Sequence, residues 1–300
     1  MTPLCIAPTG DICGEAVTWS VAENRLYWVD INRFLLHRLD LASGAVTSHF
    51  FDEPVVALSL TTDPGRLLVA QGSGLLLLTV TTDKREHLSA RLPDWPEVRM
   101  NDGRTDPLGR FWVGTMGNNV GPNGETLDIV EGRGRLYRYT HGGKLQEFES
   151  GIGISNTLCW APDGRTFYFG DTLKNEIRAY PFDPDTGDIG APRRHFADFD
   201  RGLPDGSAID AEGYLWNCRF GGGCIVRVAP DGSIDRVVEM PVRNITTCCF
   251  GGPDLATLYV TTASAMKDPS DRLAGSLFAL HTMTRGLPEN LFDLSAKGRP

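Results

Sequence analysis

Four polar residues stand at matching places in separate stretches of this 300-residue chain: Glu15, Asn101, Asn156 and Asp205. Asn101, Asn156 and Asp205 each lie eight residues before a turn glycine (Gly109, Gly164, Gly213), while Glu15 and Asn156 each lie four before a tryptophan (Trp19, Trp160). Two carboxylates and two carboxamides supply hard oxygen donors with a negative bias. That set suits a divalent cation such as Ca2+, Mg2+ or Mn2+. A cation also removes the repulsion between carboxylates facing each other across a narrow space. Singly, an Asn or Asp before a strand makes an Asx turn; four in one register point to a shared site. The six histidines (37, 49, 87, 141, 195, 281) contain no HxH or HxxxH pair, which argues against a His-ligated zinc or a histidine triad. Gly221-Gly222-Gly223 has no Lys-Ser/Thr behind it and is no phosphate loop.

What must bring these residues together is a repeat. One phrase, a tight turn followed by an alternating apolar strand, recurs with its turn residue at 24, 65, 109, 164, 213 and 256. Examples are Asp106-Pro107-Leu108-Gly109-Arg110-Phe111-Trp112 and Ala211-Glu212-Gly213-Tyr214-Leu215-Trp216. A second phrase follows each first one: a strand with a polar centre, such as Leu136-Tyr137-Arg138-Tyr139, then a hairpin turn and another strand. Four short strands in roughly 46 residues is the size of a propeller blade. The expectation is an all-β, six-bladed β-propeller with four-stranded blades, one domain over residues 1–300, with Leu4 to Ala7 lending a strand to the last blade. A pair of β-sandwiches would share the strand spacing but leaves the two-phrase repeat unexplained. Gly 34 and Pro 19, spread along the chain, leave no room for long helices.

A net charge of −9 argues against nucleic acid or an anionic membrane as partner. Met1 to Gly10 has no basic flank and no apolar run, so no secretory signal is expected there. Leu75 to Val80 is too short to span a bilayer. The seven cysteines include no CxxC, and reduced thiols in a cytoplasmic protein are expected.

Several phrases together carry a family resemblance: Gly14-Glu15-Ala16-Val17-Thr18-Trp19, Arg99-Met100-Asn101-Asp102-Gly103 running to Gly114-Thr115-Met116, Ile154-Ser155-Asn156, Leu203-Pro204-Asp205-Gly206, Asp210 to Trp216, and Cys248-Cys249-Phe250-Gly251-Gly252. Over essentially its whole length the chain resembles the senescence marker protein/gluconolactonase/luciferin-regenerating enzyme family, which includes regucalcin. The resemblance implies a six-bladed propeller that binds one divalent metal ion (Ca2+, Zn2+, Mg2+ or Mn2+) and hydrolyses a sugar (aldono-) lactone, a small molecule, to the free acid. It implies Glu15, Asn156 and Asp205 as metal ligands, and Arg99, Asn101 and Asn119 as substrate-binding residues. The expected mechanism has Asp205 deprotonating the attacking water, with Arg99 and Asn101 orienting hydroxyls and stabilising the oxyanion. Two positions depart from the family pattern: Thr157 stands where Gly is usual, and Asn119 where some members have an acid. A calcium-binding regulatory or scaffold propeller without turnover, and a metal-dependent esterase of another substrate class, are the alternatives.

Overall fold

In the computed structural model, which describes residues 1–266 and 270–296, each turn-plus-strand phrase becomes part of a four-stranded antiparallel sheet. There are six such sheets. The turn residues explain the hairpins: Gly109, Gly164 and Gly213 take φ of 76, 65 and 85°, a conformation glycine enters without a Cβ clash. Blades 1 to 5 occupy residues 14–50, 55–91, 98–152, 155–197 and 203–239. Blade 6 takes three strands from residues 245–281 and its fourth from Leu4–Ala7, which pairs antiparallel with Leu277–His281. The ring is therefore closed by the N-terminal strand, as the sequence suggested. The first strand of each blade contacts that of the next, and the strand Ile245–Gly251 returns to Gly14–Ser20. These six strands line the axis of a six-bladed β-propeller.

Packing follows the alternation of each strand. Trp28, Trp112 and Trp216 are fully buried between blades, and each indole Nε1 donates to an aspartate: Asp11 at 2.8 Å, Asp106 at 2.8 Å and Asp210 at 2.9 Å. A buried indole N–H thereby keeps a partner while its rings fill the core. Among the described residues the one helical element is a single 3-10 turn, Thr172–Lys174, and no helix is long and apolar enough to cross a membrane.

Two departures from regular geometry matter for function. All six axial strands break their ladder at the same place, between Glu15 and Thr18, Val55 and Ala57, Met100 and Gly103, Asn156 and Cys159, Pro204 and Ser207, and Ile245 and Cys248. A bulge bends its strand and re-aims the side chains within it. The second departure is the segment after blade 6. It pairs Gly286 with Asp210, sends Asn290 Nδ2 to the Thr105 carbonyl at 3.1 Å, and buries Phe292 beside Thr61. It thus crosses the ring where the axial strands end, opposite the bulges.

Candidate metal centre and substrate site

Every residue singled out from the sequence lies in or beside one of these bulges, or contacts one that does. Counting back from the turns put Glu15, Asn101, Asn156 and Asp205 in one slot, and the ladders resolve that slot into two. Glu15 and Asn156 are the last paired residues before their bulges, opposite Val29 and Gly170. In blades 3 and 5 that position belongs to Met100 and Pro204, and Asn101 and Asp205 follow one residue later. The reason is backbone conformation. The residues after Glu15 and Asn156, Ala16 and Thr157, are left-handed at φ 54 and 56°, whereas Asp102 and Gly206 are not. A left-handed, β-branched Thr157 is an outlier of the kind that clusters at functional sites.

Hydrogen bonds then tie the set into an arc across blades 3, 4, 5 and 1. Arg99 grips Asn119 Oδ1 through Nε (3.1 Å) and Nη2 (2.7 Å), and its Nη1 donates to the Met100 carbonyl (2.9 Å) and Asn101 Oδ1 (2.6 Å). Asn101 Nδ2 passes on to the Ser155 carbonyl at 2.8 Å, beside Asn156. Asn156 Nδ2 donates to Thr172 Oγ1 at 2.9 Å, and that hydroxyl donates to the Pro204 carbonyl at 2.7 Å, beside Asp205. Because the Thr172 proton goes to a carbonyl, Thr172 must accept from Asn156, which fixes the carboxamide with Oδ1 free to ligate. Asp205 and Glu15, both buried, hydrogen-bond through their side chains and close the arc.

The electrostatics set the two carboxyls apart from the rest. Both are held well above the ordinary carboxylate range, first by burial; Asp205 and Asp102 raise Glu15 further, and Asp102 raises Asp205, whose hydrogen bond with Glu15 pulls it partly back. Burial lowers the Arg99 guanidinium to about 10, which leaves it charged at neutral pH.

Three further residues belong to this site and were not singled out by sequence pattern. Asp102, inside the Arg-x-Asn-Asp-Gly phrase, accepts the backbone N–H groups of Gly103, Thr157 and Leu158 and so ties blade 3 to blade 4. Arg219 lies opposite Pro204 and bonds Asn217 Oδ1 (3.2 Å) and Asn175 Oδ1 (2.7 Å), while Asn217 Nδ2 holds the Asp205 carbonyl at 3.2 Å. Half-buried Cys13 stands close enough to Glu15 and Asp205 to feel their charge. Spacing could have flagged Asp102; nothing local announces Arg219.

Glu15, Asn156 and Asp205 could hold one divalent cation. Two mutually crowded carboxyls gain from a shared positive charge, and the freed Asn156 oxygen adds a neutral donor. Among the described residues no three His, Cys, Asp or Glu side chains converge as a metal cage. A set with only two acids leaves coordination positions for water or substrate.

The fold and this buried acidic centre together define a propeller with a polar axial site. The chain belongs to the SMP-30/gluconolactonase/LRE-like family, whose conserved region matches residues 13–264. It is 35% identical to the pentonolactonase XacC of Haloferax volcanii over 98% of this chain and 99% of that protein. It is 34% identical to a 6-deoxy-6-sulfogluconolactonase of Pseudomonas putida, covering 96% and 97% respectively. Among solved structures it is similar to a calcium-binding protein, regucalcin, from Agrobacterium tumefaciens (TM-score 0.88, 33% identity, 96% of each chain).

Proposed function

We propose that this protein is a metal-dependent sugar lactonase, opening an aldonolactone to the free sugar acid within one domain. The observation that carries the reading is the buried Glu15–Asp205 pair beside a carboxamide oxygen freed by Thr172. Lactonases among its relatives support the substrate class. Seven free cysteines, five of them buried, suit a reducing, cytoplasmic setting.

When bound by Glu15, Asn156 and Asp205, a divalent cation supplies positive charge that polarises a lactone carbonyl and offsets both carboxylates. The remaining chemistry is the chain's own. Asp205 takes a proton from the attacking water. The water oxygen bonds to the carbonyl carbon, the ring C–O bond breaks, and the ring oxygen leaves as a hydroxyl with the proton returned from Asp205. Arg99, held by Asn119 and Asn101, donates its spare N–H to a substituent of the sugar. The second N–H of the Asn101 carboxamide orients the sugar.

The test is a pH-indicator hydrolysis screen of aldonolactones on metal-stripped protein, with Ca2+, Zn2+, Mg2+ and Mn2+ added back singly, alongside Asp205→Ala. Turnover restored by a cation and lost in the folded variant is expected. Full activity in Asp205→Ala would sink the mechanism. Cation affinity without any turnover would favour a calcium-binding propeller instead.

A further inference from the structure

Of the arginines described, three are buried: Arg99 at 4% exposure, Arg219 at 1% and Arg227 at 3%. Arg227 has three acids around it, Glu212 at 2.6 Å, Asp210 at 2.7 Å and Asp235 at 3.0 Å. Arg99 and Arg219 are different, because every hydrogen-bond partner they have is a neutral oxygen. The two buried guanidiniums without a paired carboxylate are thus the two at the site. Burying a charge without a counter-ion is strongly unfavourable, so its retention there calls for a source of negative charge.

The two are held differently. Arg219 is enclosed by the carbonyls of Phe199, Arg201 and Gly202 and the amide oxygens of Asn175 and Asn217, with three of these sharing Nη2 and one N–H on Nη1 left over, and Asp205 is near enough for its charge to act on it. Arg99 has four of its five N–H groups engaged, and one on Nη2 is left over. Its fork partner Asn119 positions the guanidinium without neutralising it. Glu15 lies close enough to influence Arg99, but under the lactonase reading its charge and that of Asp205 are taken up by a divalent cation. Arg99 then faces the substrate as an unopposed positive charge.

We propose that the site takes an aldonolactone bearing an anionic group (carboxylate, sulfonate or phosphate) away from its carbonyl, and that Arg99 receives that group. Charge-assisted contacts of this kind are the strong ones in a dry site. The inference deepens the lactonase reading and rests on it for the reaction, though not for the recognition of the anion.

The experiment uses ligand pairs that differ only at the sixth carbon. For turnover, glucono-1,5-lactone is compared with glucaro-1,5-lactone, which has a carboxylate where the first has a hydroxymethyl group. For binding, glucose is compared with glucuronate by titration calorimetry, with Ca2+ present and no reaction possible. Wild type should favour the carboxylated member of each pair by about tenfold or more. Asn119→Asp, which puts a carboxylate on the Arg99 fork, should bring both ratios close to one, and so should Arg99→Gln, which removes the charge. Thermal melts check that each variant folds. Equal handling of both lactones by wild type overturns the inference and leaves the lactonase reading standing. A preference that survives in both variants also overturns it. If no lactone is hydrolysed with any cation, the lactonase reading fails, and the glucose–glucuronate ratio still decides whether Arg99 receives an anion.

Discussion

Blade 2 and blade 4 break their axial ladders at the same height, yet one break is lined with hydrocarbon and the other with polar groups. In blade 2 the break holds Val55, Val56 and Ala57, all buried hydrocarbon. In blade 4 it holds Asn156 and Thr157, and Thr157 Oγ1 donates to the Asp205 carbonyl at 2.6 Å. The bulge therefore belongs to the ring: it recurs in all six axial strands whether or not a polar side chain occupies it. Chemistry enters only where a polar residue sits in the bulge and neighbouring blades supply partners for it. The comparison separates a geometric device from the function placed on it.

Making blade 4 resemble blade 2 should have the largest effect. Asn156→Leu keeps the size and removes the free oxygen, so lactone turnover should fall about a thousandfold and cation affinity at least about a hundredfold. Kinetics and calorimetry check both, and unchanged cation affinity would remove Asn156 from the ligand set. The reverse change, Val56→Asp, places an acid in blade 2 with no partner prepared for it. It should cost about 3 kcal/mol by denaturant unfolding without creating cation affinity. A stable variant with a second cation site would mean that position alone, without built partners, is sufficient.

Titration sharpens the contrast further. Glu15 and Asp205 keep protons in the folded chain that the unfolded chain releases above about pH 4. Metal-free protein should therefore lose stability as pH rises above that range, and an added cation should restore more stability at pH 8 than at pH 5. Melting curves with chelator or with Ca2+ read this directly, and a larger gain at pH 5 would contradict the ligand assignment.

The smallest effect lies on the outer part of blade 4, where His195 is buried with neither ring nitrogen partnered. Burial lowers it to about 4, with Arg193 adding to the shift. It is neutral when folded and protonated below about 6.5 when unfolded, so its share of stability is lost as pH falls from about 6.5 towards 4. His195→Phe should flatten that acid loss by about 1 kcal/mol; an unaltered acid limb would put the sensitivity elsewhere.

The ring was legible in the sequence because turns and strands are local. Asp-Pro-Leu-Gly-Arg and Pro-Asp-Gly-Arg state their hairpins in four or five residues, and the aromatic residues that follow mark the buried face. The site was legible as a set of residues, all of which the fold gathers. Its fine register was not, because a bulge is defined against a partner strand. Nothing in the residue types Ala16 and Thr157 announces a left-handed backbone. Arg219 was equally silent: it acts by gathering carbonyls from residues 199–202 and the amide of Asn175, neighbours that exist only after blades 4 and 5 meet.

The segment that crosses the ring after blade 6 has a consequence for what can enter. Glu289 stands 3.7 Å from Arg104, and between this floor and the bulges the axis narrows to a void of about 10 Å3, room for no more than a single water. The shaft is blind. Nothing the size of a sugar passes along it from that side, so under the lactonase reading a lactone ring at the end of a molecule suits the site and one flanked on both sides by further sugar units does not.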